Sequence, residues 1–167
     1  LDNGVNFFDT ADVYGDGRSE KFIGEILKNT KEKIYVATKA GRRLDPHVSE
    51  GYNLNNIEAF IDRSLLNLGI DTIDLLQLHC PPSDICGKSE TYEMMDEIVK
   101  KGKIKYYGVS VEKVSEALDA IKFPNVKSIQ IIFNIFRQKP NEIFFKEAKK
   151  NNVAIIVRVP LASGLLT

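Results

Sequence analysis

Val5–Tyr14 reads VNFFDTADVY, and this stretch decides the fold. A short apolar run, Val5 to Phe8, ends in Asp9, and Tyr14 follows on the next turn. The pattern predicts a buried strand over 5–9 that delivers a carboxylate at its C-terminal end, with a phenol on the loop just beyond. Three later apolar runs end in the same way. Lys39 closes IYVATK, His79 closes IDLLQLH and Ser110 closes IKYYGVS. Buried strands that stop at ionisable or polar groups are what the active-site rim of a βα-barrel looks like.

Outward from that stretch the chain alternates regularly. Strand 5–9 is followed by a helix near 18–29, with Phe22, Ile23, Ile26 and Leu27 on one face and Ser19 in the N-cap region. Strand 34–39 leads into a polar loop, 40–52, long enough to be a functional loop at a site mouth. A helix over 54–68 is predicted from Leu54, Ile57, Ile61, Leu65 and Leu68, capped by Asn53 and stopped by Gly69. Strand 73–79 ends at Pro81 and Pro82, because proline removes a ladder donor. Helix 89–101 turns Tyr92, Met95, Ile98 and Val99 inward. Strand 104–110, helix 112–121, strand 127–132, a helix 140–151 opened by Pro140, and strand 153–158 complete the series. Near-continuous apolar strands such as IDLLQL and SIQIIF argue for a sheet buried on both faces. Strands separated by helices imply parallel βαβ units.

Two architectures fit this order. A doubly wound open sheet usually carries G-x-G-x-x-G after its first strand, and here DTADVYGDG stands in that place. The barrel spreads functional groups over several strand ends, as seen here. The expectation is therefore α/β: a (β/α)8 TIM barrel of which 1–167 forms about six βα units in a single, incomplete domain. A complete barrel takes ~250 residues, so the chain is expected to be a fragment of a longer protein. Two long parallel sheet edges would then be open to aggregation.

Composition narrows the function classes. Of the 167 residues 43% are hydrophobic and 28% charged, and 23 basic residues balance 23 acidic ones. That describes an ordinary globular domain with a sizeable core. Opposite charges are interspersed, with no basic patch or stripe that would argue for nucleic acid. No run approaches the ~20 apolar residues of a membrane helix. Cys80 and Cys86 are too few for a disulfide framework, and a reducing cytoplasm is the expected location. His79, Cys80 and Cys86 read H-C-x5-C, but neighbours on a strand point to opposite faces, so the sequence argues against convergence on a metal. Free, partly buried thiols are the expectation.

The rim residues have a chemistry of their own. A phenol is a poor acid, with a pKa near ~10. An ammonium ~4 Å away is worth ~4 kcal/mol at an effective dielectric of ~20, which would lower the phenol's pKa by up to ~3. Lys39 is thus expected to bring Tyr14 towards neutrality, where a general acid works best. Asp9 would keep Lys39 charged and oriented, and His79 would hydrogen-bond a substrate oxygen. Such a quartet suits proton delivery to a carbonyl oxygen as hydride reaches its carbon, and the hydride must come from a cofactor. Taken singly, each residue has a commoner structural reading: turn cap for the Asp, packing for the Tyr, solvated surface for the Lys, satisfied core for the His. Only their joint occurrence at successive strand ends favours a site.

GVNFFDTADVYGDGRSEKFIGEIL, IYVATKAG, DLLQLHCP, KIKYYGVSV and VRVPLASGLLT together resemble the aldo-keto reductase superfamily. The resemblance covers essentially the whole chain, and D-T-A-x-x-Y-G followed by S-E-x-x-x-G is its most specific part. It implies a (β/α)8 barrel that binds NADPH in an extended pose and reduces a small-molecule aldehyde or ketone. By that resemblance Asp9, Tyr14, Lys39 and His79 match the catalytic quartet, with Tyr14 as proton donor. Ser110 and Gln130 match positions that hydrogen-bond the nicotinamide carboxamide. Pro160, Leu161, Ser163 and Gly164 match the loop along the pyrophosphate, and Asp9 also lies against the cofactor.

Two positions depart from the pattern. Val111 stands where Asn or Arg is common, so one amide contact is expected from backbone or not at all. Arg158 stands where many members stack an aromatic on the nicotinamide, and its planar guanidinium can stack as well. The matching region lacks the first strand and the C-terminal part, which in the family holds the 2′-phosphate, so NADP is favoured and NAD is not excluded. An alternative of another class is a cofactor-binding regulatory subunit similar to potassium-channel β-subunits; a third is an inactive fragment.

Overall fold

The computed structural model describes residues 1 and 3–167. Among them six strands form one sheet: β1 (Phe7–Asp9), β2 (Tyr35–Ala40), β3 (Ile73–His79), β4 (Ile104–Ser110), β5 (Val126–Ile132) and β6 (Ala154–Arg158). All neighbouring pairs are parallel, and spatial order follows chain order from β1 to β6. Helices α1 (Arg18–Asn29), α2 (Leu54–Leu68), α3 (Ser89–Lys100), α4 (Val114–Ala120) and α5 (Phe145–Lys150) fill the five gaps. Repeated βα units that always step to the same side curl a twisted sheet. The result is a half-barrel, an incomplete (β/α)8. All strands point the same way, so their C-terminal ends share one rim.

The central strands β2 to β5 are buried over their C-terminal parts, as their apolar runs predict, while Tyr35 and Tyr106 near the strand starts are exposed. Val36, Leu76, Leu78, Val109 and Ile129 are all inaccessible, packed beneath Ile57, Ile61, Met95 and Ile98 of the helices. The edges differ from expectation. Strand 5–9 shortens to three paired residues, and Phe7 is 42% exposed. It lies at the edge and is covered from one side only, so it is not the buried strand its composition predicts. On the other edge Val157 of β6 is also exposed.

Helix boundaries follow their caps. The Asn53 side chain accepts from the Asn56 N–H (3.1 Å), which fixes the start of α2, and Gly69 stops it in the left-handed conformation. α1 departs from the sequence reading in two ways. Ser19 is not its cap: Gly17 holds the cap position, and Ser19 Oγ accepts from the Thr10 hydroxyl instead (2.8 Å). Phe22 and Ile26 also face solvent while Ile23 and Gly24 face inward. A Cβ at Gly24 would lie 2.8 Å from the Leu68 carbonyl oxygen, so α1 rests on the end of α2 by this bare backbone. That contact rotates Phe22 outward. α4 starts two residues later than expected, because the Glu116 carboxylate accepts from the N–H groups of Glu112 and Lys113 (3.0 Å each). Pro140 opens its helix as predicted, but through a π turn over Pro140–Phe144 before α5 begins. Short 3₁₀ turns at Ser49–Gly51 and Ser83–Gly87 shape the rim loops.

Candidate active site

Strand register sets the site in two layers. Lys39 of β2 pairs with Gln77 of β3, and one pleat higher His79 pairs with Ser110 of β4, which pairs with Gln130 of β5. Residues two apart on a strand share a face, so Gln77 and His79 both project to the inside of the curl. Tyr14 reaches the same place from the turn beyond β1, where its N–H donates to the Ala11 carbonyl (3.0 Å).

Lys39 is the centre of this arrangement. It is 1% exposed, and its ammonium donates to Asp9 Oδ2 and to the Thr10 carbonyl, both at 2.6 Å. The same nitrogen lies 5.4 Å from the centre of the Tyr14 ring. The Tyr14 and His79 rings meet edge to face, 5.9 Å apart. Asp9 is held from the other side by the Gln77 amide, which donates to Oδ1 (3.1 Å). The strand-end residues Asp9, Lys39 and His79 and the loop residue Tyr14 are thus brought together, with Gln77 as a fifth.

Burial governs the charges. It pulls the Lys39 ammonium below its ordinary value, and the Asp9 carboxylate opposes this. It pushes the His79 imidazole down to about 4, helped by the positive charges of Lys39, Arg42, Arg158 and His47. His79 is therefore neutral at physiological pH. Its Nδ1 is buried without a partner. An unpaired lone pair is cheaper to bury than an unpaired N–H, so the ring proton sits on Nε2.

Tyr14 departs from the sequence expectation. Its phenol is raised above the ordinary value, first by burial and then by the Asp9 charge. Lys39 does not acidify it, because the ammonium is already neutralised by a carboxylate 2.6 Å away. Arg158 opposes the rise more weakly.

The remaining positions follow β4 to β6. The Ser110 hydroxyl donates to Gln130 Oε1 (3.2 Å), and both residues are buried. Val111 is buried, and its carbonyl accepts from the Arg158 guanidinium (3.2 Å), leaving Arg158 Nε buried without a partner. Pro160, Leu161, Ser163 and Gly164 lie on an exposed turn where Val159, Ala162 and Ser163 all have positive φ. The N–H groups of Ala162, Gly164, Leu165 and Leu166 donate to carbonyls within the turn, which fixes its shape. A buried guanidinium nitrogen lacking an acceptor among the described residues, beside a paired serine and glutamine, fits an anionic dinucleotide that carries an amide. Cys80 Sγ lies 3.8 Å from Ser110 Oγ, and Cys86 is buried, its thiol pushed up to about 12 by burial.

Sequence reasoning missed Gln77, Asp12, Glu20 and Thr38. The first had a signal: a glutamine two residues before His79 in an otherwise apolar strand. Thr38 and Glu20 form a buried polar contact, Thr38 Oγ1 donating to Glu20 Oε1 (2.6 Å), and Asp12 is buried within the Tyr14 turn.

Known proteins share this arrangement of elements. The aldo/keto reductase family model matches residues 1–167. The uncharacterised oxidoreductase YqkF of Bacillus subtilis is 35% identical over all of the chain and 55% of its own length. Aldo-keto reductase yakc [NADP(+)] of Schizosaccharomyces pombe is 33% identical over 99% of the chain and 51% of its own. The holo form of aldo-keto reductase AKR11C1 from Bacillus halodurans superposes with a TM-score of 0.87 at 34% identity, covering all of the chain and 56% of that structure. The chain spans about half the length of the relatives it matches. Sequence likeness over the full chain and the same half-barrel place this protein in the aldo/keto reductase family.

Proposed function

We propose that the chain carries the site of a reductase that converts a small-molecule aldehyde or ketone to an alcohol, with Tyr14 as proton donor. The observation that carries this reading is the buried Lys39 ammonium, clamped by Asp9 at 2.6 Å and lying 5.4 Å beneath the Tyr14 ring. A lysine sealed from solvent at a strand end has no structural purpose that a leucine would not serve better.

The cofactor in this reading is NADPH, with NAD not excluded; it supplies hydride when bound. Ser110 and Gln130 would hold its amide, Arg158 would lie against the ring, and the turn of Pro160, Leu161, Ser163 and Gly164 would take the pyrophosphate. The relative yakc bears NADP(+) in its name, which favours that choice. The chain's own residues divide the chemistry. His79, neutral with Nε2–H, donates a hydrogen bond to the carbonyl oxygen and steers it. Tyr14 hands its proton to the same oxygen as negative charge develops there. Lys39 then stabilises the phenolate left behind.

An NADPH titration followed by protein fluorescence, with an aldehyde-reduction assay beside it, tests this. Saturable binding is expected, and Tyr14→Phe should lower turnover by about 10²–10⁴-fold, the usual worth of a general acid, without abolishing binding. A folded sample that binds no NADPH, or Tyr14→Phe at undiminished turnover, overturns the proposal. A cofactor-binding regulatory subunit would instead bind NADPH and fail to sustain multiple turnovers in the same assay.

A further inference from the structure

Asp12 lies inside the turn that carries Tyr14 and takes no part in the quartet. It is 0% exposed, and among the described residues no side chain bonds either carboxyl oxygen, the neighbouring Val13 N–H giving only weak support to its charge. Its backbone ties it to both neighbours of the site. The Asp12 N–H donates to the Lys39 carbonyl (3.2 Å), and the Asp12 carbonyl accepts from the Arg43 guanidinium (3.3 Å). A second buried carboxyl, Glu20 of α1, shares the region. Glu20 Oε1 accepts from the Thr38 hydroxyl (2.6 Å) and Oε2 from the Asn67 amide (2.9 Å). The two acids thus differ in one decisive respect: Glu20 has a side-chain donor on each oxygen, and Asp12 has no side-chain donor among the described residues.

Two neighbouring carboxylates in a dry interior cannot both be charged cheaply, so the proton goes to the one whose charge is unsupported. The charged groups facing Asp12 are Glu20 from α1, Arg43 from the loop after β2 and Arg63 from α2; the Tyr52 phenol also lies nearby. Both arginines bond the exposed Asp16 carboxylate at 2.7 Å, which neutralises much of their pull. Burial first and Glu20 second push the Asp12 carboxyl up to about 7.

We propose that Asp12 is a positioning residue that works as a neutral acid: protonated, it lets the Asp12–Gly15 turn pack dry against the end of β2 and holds Tyr14 over Lys39. Once ionised, the carboxylate must be hydrated, the turn opens, and Tyr14 moves with it. The effect on catalysis rests on the reading of Tyr14 as proton donor; the coupling of Asp12 to Tyr14 does not.

Carboxyl-labelled aspartate followed by NMR against pH tests this in the wild-type chain and in Asp12→Asn. The Asp12 carboxyl, assigned through its own backbone, should titrate near neutrality. A Tyr14 ring resonance, identified with Tyr14→Phe, should move with the same midpoint in wild type and stay still in Asp12→Asn. An Asp12 carboxyl that titrates in the ordinary carboxylate range overturns the proposal. So does a Tyr14 resonance that moves identically in both proteins, or one in wild type that ignores the Asp12 midpoint; the last needs no variant and decides the matter if Asp12→Asn does not fold. Aldehyde reduction adds a second readout. One pH unit above the midpoint about a tenth of the carboxyl keeps its proton, so the wild-type rate should fall about tenfold there from its value below it, while Asp12→Asn stays flat. Absence of reduction in both proteins would sink the proton-donor reading and leave the NMR result standing.

Discussion

His79→Gln should make the protein less sensitive to acid. The His79 imidazole is 8% exposed and is pushed from an ordinary 6.5 to about 4, burial being the main cause. In the unfolded chain the ring is free to take a proton at its ordinary value. A base with a lowered pKa in the fold contributes stability above its unfolded value, and that contribution is lost as pH falls through 6.5 towards 4. The ceiling is the shift times ~1.36 kcal/mol per pH unit, or about 3 kcal/mol. By about pH 5 some 2 kcal/mol of it should be gone. Glutamine is neutral at every pH and has no such loss. Urea unfolding at about pH 8 and about pH 5, for both proteins, reads the difference directly. Acid-labile groups elsewhere, Asp12 among them, cancel in the comparison. Wild type should lose about 2 kcal/mol more than His79→Gln between the two pH values. Parallel losses, agreeing to within about 0.5 kcal/mol, would mean that His79 is charged or well hydrated in the fold. The neutral hydrogen-bond donor assigned to the site would then be wrong.

Gly108→Ala should cost about 3 kcal/mol in urea unfolding, because the added Cβ would lie 2.2–2.3 Å from the Ser128 hydroxyl and carbonyl oxygens at the irregular step between β4 and β5; a loss below about 1 kcal/mol would show that the strands can part there. Asn53→Ala removes the side-chain acceptor at the start of α2 and should cost about 1 kcal/mol in the same assay, with no change in NADPH binding. Asp9→Asn removes the charge that, after burial, raises the Tyr14 phenol. Tyrosinate absorbance, with Tyr14→Phe as the reference, should show Tyr14 ionising at lower pH than in wild type, and an unmoved or higher midpoint would refute the assignment.

The barrel class was legible because strand burial writes itself into composition. IDLLQLH is apolar on both faces and almost wholly buried, and IKYYGVS is buried from Tyr107 to its end at Ser110. The rim residues were legible for the same reason: a polar residue that ends such a run must lie where the sheet ends. Edge strands broke the rule. VNFF has the composition of a core strand, but edge position is a property of the assembled sheet, and Phe7 is left exposed. Phe22 failed for a related reason, since helical spacing gives a face but not its rotation, which the bare backbone of Gly24 sets against Leu68. Asp12 was hidden because an acid in a turn ordinarily faces water. Only the packing of α1 and β2 around it makes it a buried carboxyl with no side-chain donor among the described residues.

The direction of the Tyr14 shift changes how the site must work. Pairwise reasoning set one ammonium against one phenol and predicted an acidic tyrosine. The assembled site contains a closed ion pair, Lys39 with Asp9, and an interior that penalises every further charge. Burial raises the phenol and lowers the imidazole, so at neutral pH both present themselves as uncharged donors around a compensated pair. Two neutral donors bind a neutral carbonyl without desolvating an ion. The low dielectric that keeps His79 neutral strengthens the site's pull on charge that appears later. On the proposed reading, negative charge grows on the carbonyl oxygen only as hydride arrives. The Tyr14 proton then faces a far stronger base than the empty site contains, and Lys39 lies beneath the ring to receive the phenolate. Acidity at Tyr14 is therefore conditional on the reaction, a form of selective transition-state stabilisation, and a tyrosine acidified in advance would have given part of that difference away.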